Sequence, residues 1–180
     1  MDKFNLLDFI PEKVLCGKNK IEYSLSINHT EENIDLNYLT NLHNQTGICG
    51  KRKYSLTIPK YISRNNETFE VLGLLQAEMG KTNNGCIVFC NHEFQLINKV
   101  IDWFEMELNL TSNTWRWYLK VNMNEPEQGE SRKTFENKII NYWLNNTKIN
   151  PVKKHPKTVT YIKNTKNKEL KDNDYGTLII

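Results

Sequence analysis

Residues 71–82 read VLGLLQAEMGKT, and the fold turns on whether this stretch is a phosphate-cradling loop or a helix carrying one placed acid. A loop that wraps backbone amides around phosphates needs G-x-x-x-x-G-K-[ST] between a strand and a following helix. Gly80-Lys81-Thr82 has the tail of that pattern, but Leu75 stands where its first glycine belongs. The flanking order is inverted as well, with a helical pattern before GKT and a strand-like run after it. No nucleotide cofactor is expected. The helix reading is better served. Asn66 is placed as N-cap, Glu67 and Glu70 suit the positive end of the dipole, and Phe69, Val71, Leu72, Leu74 and Leu75 follow as an apolar series. Gly80 is placed to end it. Gly73 and Ala77, four apart, leave one stripe of the helix nearly bare, so another helix can approach closely. Leu72, Leu75 and Met79 are expected to face this chain's own core. Glu78 falls in the last turn, where a carboxylate opposes the dipole and calls for a metal ion or a lysine beside it.

The sequence beyond this helix alternates strands and helices. GCIVFC (85–90) reads as a short buried strand, with Cys86 and Cys90 as reduced thiols. Residues 92–110 place Phe94, Ile97, Ile101 and Phe104 at helical spacing, widened by Val100, Trp103 and Leu108. WRWYLKVN (115–122) alternates strictly. Trp115, Trp117, Leu119 and Val121 take one face of a strand, and Arg116, Tyr118, Lys120 and Asn122 take the other. A turn-rich NEPEQGES leads to a third helix over about 131–146, and residues 151–180 read as two strands, KTVTYIK and YGTLII, joined by a lysine-rich turn.

Residues 1–64 are expected to be a small, loosely organised N-terminal region with one helix at about 31–43, a basic cluster GKRK at 50–53, and a stop at Pro59. Residues 65–180 form the main domain. Composition is that of an ordinary folded chain, with 38% hydrophobic and 25% charged residues. No apolar run approaches the roughly 18–20 residues a bilayer span needs, and the N-terminus lacks a signal-peptide pattern. A cytoplasmic protein without membrane partners is the expectation. The four cysteines and four histidines show no zinc-ligand spacing. Net charge is +3, yet residues 148–180 hold eight lysines against three acids. A basic segment on a nearly neutral body suits a polyanionic partner.

VLGLLQAEM resembles the signature helix of the LAGLIDADG homing endonucleases, with Val71 at its first letter. Gly73 and Ala77 match the small residues of the signature and Glu78 its second acid, while Gln76 replaces the first acid and Met79 the final glycine, which Gly80 supplies one residue later. The succession IPKYI, FCNHE, INKVIDWFEMEL, IINYWLNNTKI and YGTLII extends the resemblance over roughly 57–180 to archaeal-type, single-motif members. It implies an α+β fold, a saddle of antiparallel strands backed by helices, here with a small N-terminal extension. It further implies a homodimer paired through Gly73 and Ala77, double-stranded DNA as partner, and Mg2+ held by Glu78. The implied activity is that of a site-specific, metal-dependent DNA endonuclease. Catalytic candidates are Glu78, Lys120 and Gln76, with Lys81 as the other lysine able to stabilise developing charge. Arg116, Tyr118, Lys120 and Asn122 would read or line the DNA, since Arg and Asn pair with guanine and adenine edges. Lys81, Lys153, Lys154, Lys157 and Lys163 would hold phosphates. A DNA-binding regulator without cleavage and an RNA-binding splicing factor of maturase type use the same saddle and stay open.

Overall fold

Asn65 starts the helix at the centre of the molecule: its side-chain oxygen accepts a hydrogen bond from the Thr68 amide at 2.8 Å, one residue earlier than an Asn66 cap would allow. The computed structural model describes residues 2–16, 21–44, 47–81, 87–122, 131–162 and 175–180. In chain order the strands and helices are β1 (Lys3–Asn5), β2 (Lys13–Cys16), β3 (Ile21–Ser24), β4 (Ser26–His29), β5 (Asn33–Asn44), β6 (Gly47–Pro59), β7 (Tyr61–Ser63), α1 (Asn66–Glu78), β8 (Met79–Lys81), β9 (Ile87–Asn91), α2 (Phe94–Leu108), β10 (Trp117–Asn122), α3 (Arg132–Asn146), β11 (Lys154–Ile162) and β12 (Thr177–Ile179). The protein is α+β, with three α-helices and mainly antiparallel sheets among the described residues.

The principal sheet has five strands in the order β11-β10-β12-β9-β8. Its pairings are antiparallel except β10–β11, which is parallel. The two strands expected as a basic hairpin therefore do not pair with each other; they flank β10 on opposite sides. Burying both β11 and β12 against the apolar Trp117–Val121 strand satisfies both of its edges. One face of this sheet is dry. Trp117, Leu119 and Val121 join Phe89 and Leu178 against Val71 of α1, Ile97, Val100, Ile101 and Trp103 of α2, and Ile139 and Trp143 of α3. All three helices thus cover the same face. Trp143 donates its indole N–H to the Tyr175 carbonyl at 2.8 Å and Trp117 to the Asn150 carbonyl at 2.8 Å, so both large rings are buried without an orphaned donor.

Helix α1 ends at Glu78, not at Gly80. Met79 takes an extended conformation and the chain passes straight into β8, where Gly80 sits opposite Val88. The hairpin strand preceding β9 is three residues long. The inward face of α1 also differs from expectation. Thr68 and Val71 are buried and Leu74 and Leu75 partly so, whereas Leu72 and Met79 stand exposed with Phe69. The helix meets its core on the side of Val71, and Leu72, one residue on, is rotated away from it.

The N-terminal region is built of strands. Residues expected as a helix at 31–43 form β5, because Ile34, Leu36 and Tyr38 alternate with Asp35 and Asn37 at the period of a strand. β5 pairs along its length with β6 and, at Ile34–Asn37, with β4. β6 ends at Pro59, as the missing proline donor requires. The β1–β7 pair carries Phe4 and Ile62 onto the helical core, and Leu6, just after β1, packs there too. Its backbone is fastened by Ser63, whose amide donates to the Glu107 carboxylate at 2.7 Å, and by the Arg64 amide, which donates to the Asp2 carbonyl at 3.0 Å.

Candidate nucleic-acid interface

Because opposite residues of paired strands share a face, the uncovered side of the five-stranded sheet can be read from register. Lys120 lies between Thr177 of β12 and Thr160 of β11. Tyr118 lies opposite Ile179, which in turn pairs with Cys90. Val88 and Gly80 continue the row toward the edge. Lys120 and Thr160 are exposed, Tyr118, Cys90 and Thr177 half-buried, and Ile179 only 2% exposed. The face is therefore mixed: its apolar middle at Ile179 is closed to solvent, and the exposed positions, Lys120 and Thr160, lie on the β10–β11 side. The Lys120 ammonium sits 5.9 Å from the centre of the Tyr118 ring, and the centre of the His155 ring is 6.0 Å from it. Arg116, just before β10, is exposed, as are Lys153 and Lys154 at the start of β11. Arg116, Tyr118 and Lys120 thus follow one another along β10 and its approach, with Lys153 and Lys154 at the start of β11, where Lys154 pairs with the core-facing Trp117 and so stands on the other face. Lys163 lies outside the described residues, as do the side chains of Lys81, Asn122 and Lys157.

Thr160, Thr177 and His155 were not among the residues singled out by sequence. The alternation in KTVTYI carried the signal for Thr160. Thr177 was hidden because the pairing of β12 with β10 cannot be read from spacing. Close approach at that pairing depends on Gly176, whose φ is +71° and where a Cβ would lie 2.5 Å from the Lys120 carbonyl oxygen.

Glu78, Gln76, Gly73 and Ala77 form a second group, all exposed on α1. A Cβ added at Gly73 would meet nothing within 4 Å. Gly73, Gln76 and Ala77, with Leu72 at 42% exposure, make an uncovered helix face, while Glu78, seven residues after the buried Val71, stands at the helix end on the side toward the sheet. The Cys90 thiol lies 3.6 Å from the Glu78 carbonyl, marking where the helix meets the sheet edge. Within one chain the two groups stay apart. Lys120 is on β10, and β12 and β9 intervene before β8, so three ladder steps of about 4.8 Å separate it from the strand that follows Glu78.

Glu78 is the carboxylate at this edge, and among the described residues no three His, Cys, Asp or Glu side chains cluster as metal ligands. A hard cation such as Mg2+ is commonly held by one or two carboxylates, with phosphate oxygens and water completing its shell. Glu78 supplies one exposed carboxylate per chain toward such a donor set. Comparison with family models, with curated proteins and with solved structures finds no match for this chain.

Proposed function

We propose that the chain binds duplex DNA on the uncovered face of its five-stranded sheet, pairs with a second copy through α1, and uses Glu78 in Mg2+-dependent phosphodiester cleavage. The sheet would then be a LAGLIDADG-type saddle. The observation that carries this reading is the continuity of three features: a helix face left bare at Leu72, Gly73, Gln76 and Ala77, an exposed acid at its end, and an edge strand leading into a sheet whose open side bears Arg116 and Lys120. Pairing two such helices about a twofold axis would bring both Glu78 carboxylates together and extend the two sheets into one concave surface. Arg116 and Lys153 would anchor phosphates, while Tyr118 and Lys120 would face the groove. Glu78 and its mate would hold the metal with a scissile phosphate; bound there, the ion lowers the pKa of water and stabilises the leaving oxygen. Gln76, two residues before Glu78, points to nearly the opposite side of α1 and would contact phosphate or the second helix away from the metal end. Lys120, distant from its own Glu78, serves better as a groove contact than as a catalytic group for the same chain.

That distance also favours a second reading, a DNA-binding regulator that keeps the saddle without cleavage. Incubation of the purified protein with a randomised duplex library and Mg2+, beside Glu78→Gln, separates the two. Cleavage lost in Glu78→Gln with binding retained is the expected result. Binding without cleavage by either protein would remove the endonuclease and leave the regulator. Preference for structured RNA over duplex DNA would overturn both in favour of a splicing factor.

A further inference from the structure

We propose that the aromatic patch formed by Phe9 and Phe69 around Phe4 is the outer half of a self-association surface, occupied by the same patch of a second copy of this chain. The inference rests on the pairing through α1 proposed above and adds to it a contribution from the N-terminal segment. The first observation is an exposed apolar cluster that continues from one element to another. Phe9, four residues after β1, is 67% exposed, and Phe69, in the first turn of α1, is 51% exposed, with Leu72 exposed beside it. The Phe4 ring stands edge-on to both phenylalanines, 6.1 Å from Phe9 and 5.8 Å from Phe69. Single exposed apolar side chains are ordinary, whereas a contiguous apolar patch marks an interaction site. Phe69, Leu72, Gly73 and Gln76 stand at i, i+3, i+4 and i+7 of α1. They form one exposed stripe, turned away from the buried Thr68 and Val71.

Area argues for an interface that spans both elements. A helix of 13 residues is about 20 Å long and about 10 Å across, so one face offers about 200 Å². A specific interface needs about 500 Å² from each partner. Phe9 and the exposed part of Phe69 add roughly 200 Å², at about 150–250 Å² for a whole aromatic side chain. Charge argues that the occupant is a second copy. The stripe carries no charge, so like positions can meet across a twofold axis without repulsion. Gln76 can pair with its own counterpart there, because its amide both donates and accepts. The rim has both signs: Asp8 precedes Phe9, Glu67 lies in the first turn of α1, and the Arg64 guanidinium lies 5.4 Å from the centre of the Phe4 ring. A mixed rim is complementary to a copy of itself, and its acids weaken the fit to an anionic lipid surface or a nucleic acid. Bulk is graded along the stripe as well. Phe69 begins it, whereas an added Cβ at Gly73 would meet nothing within 4 Å. Helices paired in parallel would approach most closely at Gly73 and Ala77 and splay at Phe69, where Phe9 fills the wider gap.

The oligomeric state of the full chain tests this. Sedimentation equilibrium over a concentration series would compare wild type with Phe9→Ser, Phe69→Ser, Phe9→Tyr and Gly73→Leu, and thermal unfolding would check that each folds. Phe9→Ser is expected to weaken dimerisation at least about tenfold, since each change enters a twofold interface twice. Its unfolding midpoint should stay near that of wild type, because the ring is mostly exposed. Phe9→Tyr, which keeps the ring, should dimerise like wild type. Phe69→Ser reads the same patch from α1 should Phe9→Ser misfold. A dimer abolished by Gly73→Leu but unmoved by both serine variants overturns the aromatic extension and leaves the pairing through α1 intact. A dimer weakened by both serine variants but unmoved by Gly73→Leu supports the patch and overturns the close approach of the helices. A wild-type chain that stays monomeric throughout overturns both. Monomers that bind phosphatidylcholine vesicles, and lose that binding in Phe9→Ser, would assign the patch to lipid and overturn the second copy.

Discussion

Thr68 does two jobs at the start of α1 that its size alone would not suggest. Its amide completes the Asn65 cap, and its hydroxyl, fully buried, accepts the Trp103 indole N–H at 3.1 Å. This is the polar joint between α1 and α2 inside an otherwise apolar core. Thr68→Val keeps the shape and raises apolarity, yet it leaves the indole donor unpaired at a ring only 4% exposed. We predict a loss of about 1–3 kcal/mol in urea unfolding, with Thr68→Ser, which keeps the acceptor, costing less. A second residue-scale joint is Glu105, whose carboxylate accepts from the Ser112 hydroxyl at 2.6 Å and the Ser112 amide at 2.9 Å. The hydroxyl bond, then the amide bond, hold the Glu105 carboxyl below its ordinary value of 4.5, against a small opposing effect of burial. A carboxyl more acidic in the folded chain than in the unfolded chain stabilises the fold above the unfolded value. That contribution is lost as pH falls through the lower, folded value. Glu105→Ala should therefore narrow the stability difference from wild type as pH is taken below about 4.5, while costing about 1–2 kcal/mol near neutrality through the unpaired Ser112 groups. Parallel urea curves for the two proteins from neutral to acidic pH would check it, and a gap that does not close in acid would show the carboxylate charge to be irrelevant.

At the scale of elements, legibility followed periodicity. α2 appears within two residues of its expected span because Ile97, Val100, Ile101 and Trp103 set one stripe and Asn109, in the left-handed region at φ 55°, stops it. β10 was legible for the same reason, its alternation leaving Trp117, Leu119 and Val121 at 1% exposure or less. β5 was not legible, since polar HTEEN ahead of IDLNYL looks like a helix start when read locally. The partner that makes it a strand lies more than twenty residues on, at Ile58 opposite Ile34. α1 falls between these cases: its existence was readable, but which side is buried depends on β9 and α2, which no local pattern reports. The exposed side yields a prediction that separates a bare helix face from an interface. Because nothing lies within 4 Å of a Cβ at Gly73, Gly73→Ala should stabilise the isolated chain, by up to about 1 kcal/mol from helix propensity. Gly73→Leu should fold equally well alone. If α1 pairs with a second copy, Gly73→Leu abolishes self-association in sedimentation while thermal unfolding of the monomer is unimpaired. Equal sedimentation of wild type and Gly73→Leu would place any dimer elsewhere.

The whole molecule raises a question about cooperativity, because the boundary expected at 64/65 runs through a shared core. Ile62 is 4% exposed and sits in the same cluster as Val71, Val100 and Leu119, with Phe4 and Leu6 packed against it. Ring contacts reinforce the join, the Phe4 ring standing edge-on to Phe69 of α1 at 5.8 Å and the Arg64 guanidinium lying 5.4 Å from the Phe4 ring. Composition and spacing gave no hint of this, since contacts between residues 4 and 69 arise only once the β1–β7 pair has formed. An appendage loosely tied to a domain of 65–180 would unfold first and leave the helices protected. A β1–β7 pair that is part of the core would instead unfold together with it. Ile62→Ala distinguishes these outcomes. Deleting a buried isoleucine side chain costs about 2–5 kcal/mol where the cavity cannot collapse. Hydrogen exchange should then show amides of α2 and β10 opening faster by a similar factor to those of β7, with a single urea transition moved to lower denaturant. Protection lost in β1 and β7 alone, with α2 unchanged, would mean that the strands at 3–5 and 61–63 lean on the core without helping to hold it.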